Sequence, residues 1–310
     1  MSPENNYDPS YAGSIDKILV GNTSSTTGIT FIPGWGCQAS DVQALLDHLS
    51  KDIKDFKAIA INLPDHGQTS TQRCPDPTIS NFANILICIC TELGLKDIIL
   101  VGHSMGVRIA AQAALLSTNS TTPTIKGLVW IDGSNYTLKT TAASNMATIS
   151  PEQRATAKDN IFQQMFSERT PDSFKASAIA HVAQMDKAYS ESLMKDMIRW
   201  DREEMERVFV KLGEMGMPVL NLQSSEPVGM DRVPMREGQV SRYRCWVGEK
   251  MSEGYGSVSG RERERATPRL RQVAVVDSAH FPHVDRPGFV AEQIRQSLER
   301  LGPLRDQVEE

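Results

Sequence analysis

The run Gly102-His103-Ser104-Met105-Gly106 sets a serine between two glycines, a spacing that suits nucleophilic chemistry. A serine hydroxyl is a weak nucleophile at neutral pH. It needs exposure, a base to take its proton, and donors placed where an oxyanion develops. The run follows the strand-like Ile98-Ile99-Leu100-Val101 and leads into the helical Val107-Arg108-Ile109-Ala110-Ala111. Its small residues permit a tight strand-to-helix turn that lifts the Ser104 Oγ clear, and the helix N-terminus favours negative charge nearby. For a base the chain offers six histidines, His48, His66, His103, His181, His280 and His283. For a carboxylate to orient that base, two strand ends are open. Asp132 directly follows Leu128-Val129-Trp130-Ile131, while Glu226 follows Leu220-Asn221-Leu222-Gln223-Ser224-Ser225, with Asp231 further on.

The elements that must position these groups alternate in type. Apolar runs at Ile29 to Ile32, Lys57 to Leu63, Asp97 to Val101 and Gly127 to Ile131 have the near-continuous Ile, Val and Leu content of strands covered on both faces. Between them, Val42, Leu45, Leu46 and Leu49, and then Phe82, Ile85, Leu86, Ile89 and Leu93, recur at helical spacing. This alternation predicts an α/β fold with a mostly parallel, doubly wound sheet. Past Asp132 the pattern changes. Residues 133–215 are polar, Met-rich and helix-favouring, with a helix start at Ser150-Pro151-Glu152 and no strand-like run, and read as an inserted helical cap. Strands resume at Pro218 to Leu222 and Leu270 to Val276, and a last helix runs from about Pro287 to Leu301. The expected organisation is a core of residues 1–132 and 216–310 with the cap at 133–215. Residues 239–268, rich in Arg and Gly with almost no apolar periodicity, read as an irregular insertion within the core.

Three stretches together resemble the α/β-hydrolase family: the run at Ser104, Phe31-Ile32-Pro33-Gly34-Trp35-Gly36, and Leu63-Pro64-Asp65-His66-Gly67-Gln68-Thr69-Ser70. The stretch from Phe31 is similar to the family's oxyanion loop, and the stretch from Leu63 to the turn after its next strand. The resemblance spans about residues 28–300, excluding the cap and the Arg/Gly-rich stretch. It implies that Ser104 is the nucleophile and that the backbone amides of Trp35 and Met105 form the oxyanion hole. Pro33 departs from the histidine usual before the glycine, which leaves the backbone donors in place. Val275-Val276-Asp277-Ser278-Ala279-His280 matches the family's histidine loop, which implies His280 as base. The family carries its acid after either of the two strands, so Asp132 and Glu226 both stand, with Asp231 behind them. The other histidines are read as structural.

The cap holds Met146, Met165, Met185, Met194, Met197 and Met205 with Phe162 and Phe166, either a pliant apolar pocket over Ser104 or ordinary packing between helices. Bulk properties narrow the function class. The chain has 310 residues, 40% hydrophobic and 23% charged, as in soluble globular proteins. A net charge of -5 offers no basic face for nucleic acid. No apolar run reaches the length of a membrane span, and Met1 to Gly13 lacks the apolar segment of a secretory signal. Five cysteines without a C-x-x-C pair suit neither a disulfide framework nor zinc, so a cytoplasmic setting is expected. Motifs for phosphate, dinucleotide or metal binding are missing, so chemistry without a cofactor is expected. The reading is a serine hydrolase acting on an ester or lactone of a small apolar molecule. A C-C bond hydrolase or acyltransferase with the same residues is the alternative, and a low-turnover ligand receptor on the same fold is the third.

Overall fold

The apolar runs become strands whose side chains divide between two buried faces. The computed structural model describes residues 15–52, 55–72, 74–117, 123–138, 163–228, 231–257 and 270–300. Its strands are β1 (Lys17–Gly21), β2 (Thr27–Ile32), β3 (Lys57–Ile61), β4 (Asp97–His103), β5 (Thr124–Ile131), β6 (Val219–Gln223), β7 (Ser225–Val228), β8 (Asp231–Pro234) and β9 (Leu270–Ala274). Seven form one sheet in the order β1-β3-β2-β4-β5-β6-β9, parallel throughout except where β1 pairs antiparallel with β3. The alternation of β4 shows the division. Ile98 and Leu100 join one apolar cluster, Ile99 and Val101 the other.

On the second of these faces lie α1 (Gln43–Asp52) and α9 (Pro287–Arg300), through Leu45, Leu46, Leu49, Val290 and Ile294. The first face is covered by α2 (Ile79–Glu92) and α3 (Met105–Leu116), joined by later helices described below. The α/β, mostly parallel doubly wound fold expected from the alternating pattern is the fold observed. From β2 the chain passes to β3 on one side and then to β4 on the other. That reversal opens a crevice beyond the carboxyl ends of β2 and β4, where loops can converge on a ligand. Ser104 stands at this edge.

Two parts of the chain differ from the expected organisation. Of the stretch 133–215, the helices described are α4 (Asp172–Gln184), α5 (Lys187–Glu203) and α6 (Met205–Glu214). Met146, Phe162 and the start at Ser150-Pro151-Glu152 lie outside the described residues. In α6, Met205, Val208, Phe209 and Leu212 follow the i, i+3, i+4, i+7 spacing of a single buried face, and each is fully buried. The Phe209 ring stacks on Trp130 of β5 at 4.5 Å between centroids. This helix therefore packs on the sheet, and α4 and α5 are the described helices of the inserted stretch that precede it.

The second difference is at 239–268, expected to be irregular. Residues Arg242–Ser257 form a helix, α7, while 258–269 fall outside the described residues. Its buried face is Tyr243, Val247, Met251 and Gly254, one member of which has no side chain. The closest approach to α6 is made through glycine. An added Cβ on Gly254 would overlap the Val210 carbonyl oxygen, and one on Gly213 would overlap that of Met251. Backbones this close bury area without the apolar periodicity a sequence reading relies on. After β6 the chain also makes an antiparallel hairpin, β7 with β8. Among the described residues no helix is long and apolar enough to cross a membrane.

The glycine contact sets an expectation for stability. Gly254→Ala costs about 1–3 kcal/mol through overpacking. Gly256→Ala, whose added carbon meets nothing within 4 Å, is neutral or gains up to about 1 kcal/mol of helix propensity. Urea midpoints of the two variants measure the difference.

Candidate active site

At the turn between β4 and α3, Ser104 takes φ 51° and ψ −109°, a conformation that costs a residue with a side chain of order 1–3 kcal/mol. Two glycines make it attainable. A Cβ on Gly102 would overlap the Gly106 carbonyl, and one on Gly106 would overlap the carbonyl of Ile32. The Ser104 amide donates to Ile131 O of β5 at 3.0 Å, which ties the turn to the next strand.

His280 lies between β9 and the short helix α8 (Pro282–Asp285). Its backbone is held at both polar groups: the amide donates to Met165 O at 3.0 Å, and the carbonyl accepts from His103 Nε2 at 2.8 Å. The loop around it is tied by Asp285, whose carboxylate accepts from Ser278 Oγ (2.8 Å) and the Ala279 amide (3.2 Å). The same carboxylate accepts from Ser167 Oγ (2.8 Å) and Thr170 Oγ1 (2.7 Å), on the segment leading into α4.

Asp132 follows β5 at φ 45° and is completely buried. Its Oδ1 accepts from Gln223 Nε2 (2.9 Å) and the amides of Ser224 (2.9 Å) and Ser225 (2.8 Å). Its Oδ2 accepts from Ser225 Oγ (2.6 Å) and from His280 Nδ1 (2.6 Å). A carboxylate only accepts, so Nδ1 carries the hydrogen and the neutral ring turns a bare Nε2 outward. That nitrogen accepts from Ser104 Oγ at 2.9 Å. Burial alone would push the Asp132 carboxyl up. The His280 hydrogen bond, the charges of His280 and Arg232 and the Ser225 hydroxyl outweigh it, and hold the group below the usual carboxylate range.

The structure thus brings Ser104, His280 and Asp132 into one hydrogen-bonded line. Glu226 is not part of it. Its carboxylate, in β7, accepts from the Arg242 amide (3.0 Å) and Nε (3.1 Å) at the start of α7, where a helix N-terminus favours negative charge. Asp231 begins β8 opposite Val228.

The loop after β2 closes over the same point. A side chain on Gly34 would crowd Ser104 Cβ and the His103 ring, so the Gly34-Trp35 backbone sits directly against the turn. Gly36 N donates to His66 Nε2 at 3.2 Å while His66 Nδ1 donates to Pro64 O at 2.9 Å, so this buried imidazole is neutral and supports the loop. The Trp35 indole reaches α5, donating to Ser190 Oγ at 3.0 Å. Met105 is buried in the first turn of α3, where amides lack intrahelical acceptors.

Several long-range partners carried no sequence signal. Arg108 of α3 is buried and pairs bidentately with Asp201 of α5, both contacts at 2.6 Å, and donates to Ser134 O at 2.8 Å. Asp201 also accepts from the Tyr136 amide at 2.7 Å. Removing one partner of such a pair strands a buried charge, at about 3–5 kcal/mol. Beside His280, Phe281 packs with Phe166 and Phe174 at 5.5 and 5.1 Å between centroids, so the inserted stretch meets the histidine loop through an aromatic cluster. Met165 packs in this cluster, whereas Met194, Met197 and Met205 pack against the main core.

Comparison with known proteins agrees with this architecture. The profile of a family described as the alpha/beta hydrolase fold matches residues 29–186, half of the chain. Over 60 residues, 19% of this chain, the sequence is 42% identical to the uncharacterized hydrolase YugF of Bacillus subtilis (strain 168). That match covers 22% of the relative, so the chain aligns with about a fifth of its length. The structure of Est816, described as an N-acyl homoserine lactone degrading enzyme, superposes with a TM-score of 0.66 at 14% identity, covering 91% of this chain and 96% of that one. A carboxylesterase structure from Nitrososphaera gargenis gives 0.65 at 14% identity, with 93% and 94% covered. At such identities these two likenesses speak to the fold.

The buried histidines make stability depend on pH. Burial first, aided by neighbouring histidines, lowers His66 to about 4 and His283 to about 3, and takes His103 well below its usual value. An unfolded chain takes up protons near pH 6.5 that the folded one refuses. The contribution of these groups is therefore full above pH 6.5 and falls as the pH drops towards 4, by about 1 kcal/mol per pH unit for each. Urea denaturation at pH 7, 6 and 5 measures the slope, and His66→Gln makes it shallower.

Proposed function

The chain belongs to the α/β-hydrolase fold family, and from that premise we propose that it is a serine hydrolase cleaving a carboxylic ester or lactone of a small apolar molecule. The observation that carries the reading is the line of two hydrogen bonds, 2.9 Å from Ser104 Oγ to His280 Nε2 and 2.6 Å from His280 Nδ1 to Asp132. Ser104 Oγ attacks the carbonyl carbon as His280 Nε2 takes its proton. The amides of Trp35 and Met105 hold the oxyanion, each such donor being worth about 100- to 1000-fold in rate. The imidazolium then protonates the departing alcohol oxygen, leaving an acyl group on Ser104. Water, deprotonated by the same nitrogen, releases the acid and restores the serine. Asp132 stays ionised throughout, fixing the ring and stabilising its charged form.

The ester or lactone class is supported by what the similar structures are described as acting on. Est816 degrades a lactone, and the Nitrososphaera proteins are carboxylesterases. The aromatic cluster around Phe281, at the join of α4 and the histidine loop, favours an apolar substituent.

Turnover of p-nitrophenyl acyl esters and labelling by a fluorophosphonate test the reading. Ser104→Ala abolishes both. Asp132→Asn lowers kcat by about 1000- to 10,000-fold, whereas Glu226→Gln leaves it within about twofold, since Glu226 stands outside the hydrogen-bonded line and pairs with Arg242 at the start of α7. Undiminished turnover in Ser104→Ala would sink the proposal. Equal damage from Glu226→Gln would reassign the acid, and a folded protein that resists the probe would favour a receptor.

A further inference from the structure

Arg232 of β8 is 6% exposed and points at the far side of the same carboxylate. Its Nη1 stands 3.6 Å from Asp132 Oδ2, and its Nη2 donates to Ser134 Oγ at 3.2 Å. Nη1 is buried and makes no hydrogen bond among the described residues. The reason is on the acceptor side: Oδ2 already takes hydrogens from His280 Nδ1 and Ser225 Oγ, which uses both lone pairs. The guanidinium therefore meets a saturated oxygen at ion-pair distance. It acts on Asp132 through charge, without competing for the place that orients the imidazole.

Among the described residues, the other titratable and charged groups facing this point cancel or stay neutral. From the β4–α3 turn, the His103 ring lies 4.7 Å from that of His280, and from α8 the His283 ring lies 4.5 Å from His103. Burial keeps both uncharged. Tyr136, after β5, and Tyr243 of α7 are pushed up by burial and stay protonated. Arg108 of α3 is matched by Asp201 of α5, and Glu226 of β7 by Arg242 of α7. What remains facing Asp132 is Arg232 on one side and His280 on the other.

We propose that Arg232 is a positioning residue of this site: the β7–β8 hairpin brings a fixed positive charge behind Asp132 that keeps it ionised and sets the pH at which His280 becomes a competent base. With part of Asp132's charge already answered by the guanidinium, the imidazolium gains less from it, so His280 gives up its proton more readily. The neutral, base-competent ring then persists into more acidic solution. Removing the charge makes His280 more basic, and activity is lost at a higher pH than in the parent protein.

The inference rests on the serine-hydrolase reading and is tested on the full chain by kcat/KM for a p-nitrophenyl acyl ester between pH 5 and 9. In Arg232→Met the acidic limb moves up by about one pH unit. Arg232→Lys, which keeps the charge, leaves the limb where the parent has it. Arg232→Gln drops the charge while retaining a donor for Ser134, and carries the same expectation as Arg232→Met should the latter not fold. An unmoved limb in the charge-free variants overturns the inference, as does a limb in Arg232→Lys that moves as far as in Arg232→Met. A parent protein that neither turns over the ester nor takes a fluorophosphonate removes the hydrolase reading itself. An active parent with an unmoved limb removes this inference alone.

Discussion

A carboxylate with no exposure to water must be solvated by protein, and in this molecule Asp132 imposes that demand on everything around it. Its requirement is met from three directions. The exit of β6 supplies Gln223, Ser224 and Ser225, the histidine loop supplies His280, and the β7–β8 hairpin supplies Arg232. Each of these groups lies far from Asp132 in the chain, so the sheet must be assembled with β5 beside β6 and β6 beside β9 before the charge is satisfied. The same closure aligns His280 with Ser104. Ion solvation and site geometry are thus one constraint, which couples completion of the fold to completion of the proposed triad.

The second constraint is steric and lies at Ser104. A positive φ at a residue with a side chain persists only where the surroundings over-determine it. Here the turn is clamped by Ile131 O beneath it, by the Ile32 carbonyl against Gly106, and by Gly34 against the serine itself. Arg108, one turn into α3, ties the same helix to Asp201 of α5, so the inserted stretch grips the helix that follows Ser104 from behind. The site is stiff because four separate connections converge on it.

Much of this was legible in sequence, for reasons that can be named. The strand-turn-helix context of Ser104 and the parallel sheet follow from short apolar runs and from glycines that only close backbone approach requires. The place of His280 beside Ser104 came from resemblance, since no local pattern distinguishes it from His283. Asp132 and Glu226 were inseparable in sequence because both follow a strand. What separates them in space is the hairpin, which turns Glu226 towards the start of α7 and leaves β6's exit wrapped around Asp132. Helix α7 was invisible because its tightest packing is made by Gly254, a residue with no side chain to register in a hydrophobic pattern. Arg232 and the Arg108–Asp201 pair were invisible for another reason: a buried arginine is indistinguishable from a surface arginine until the fold supplies its partner.

Asp285 bears on how such a site can diversify. One carboxylate joins the turn at Ser167 and Thr170 to the loop that carries His280, and the His280 amide is itself bonded to Met165 O. The segment before α4 therefore belongs mechanically to the histidine loop, although in sequence it belongs to the insertion. A lineage that exchanged the whole insertion for another would also discard the latch that holds the loop of His280. A segment exchanged without touching that latch thus has to end before Met165.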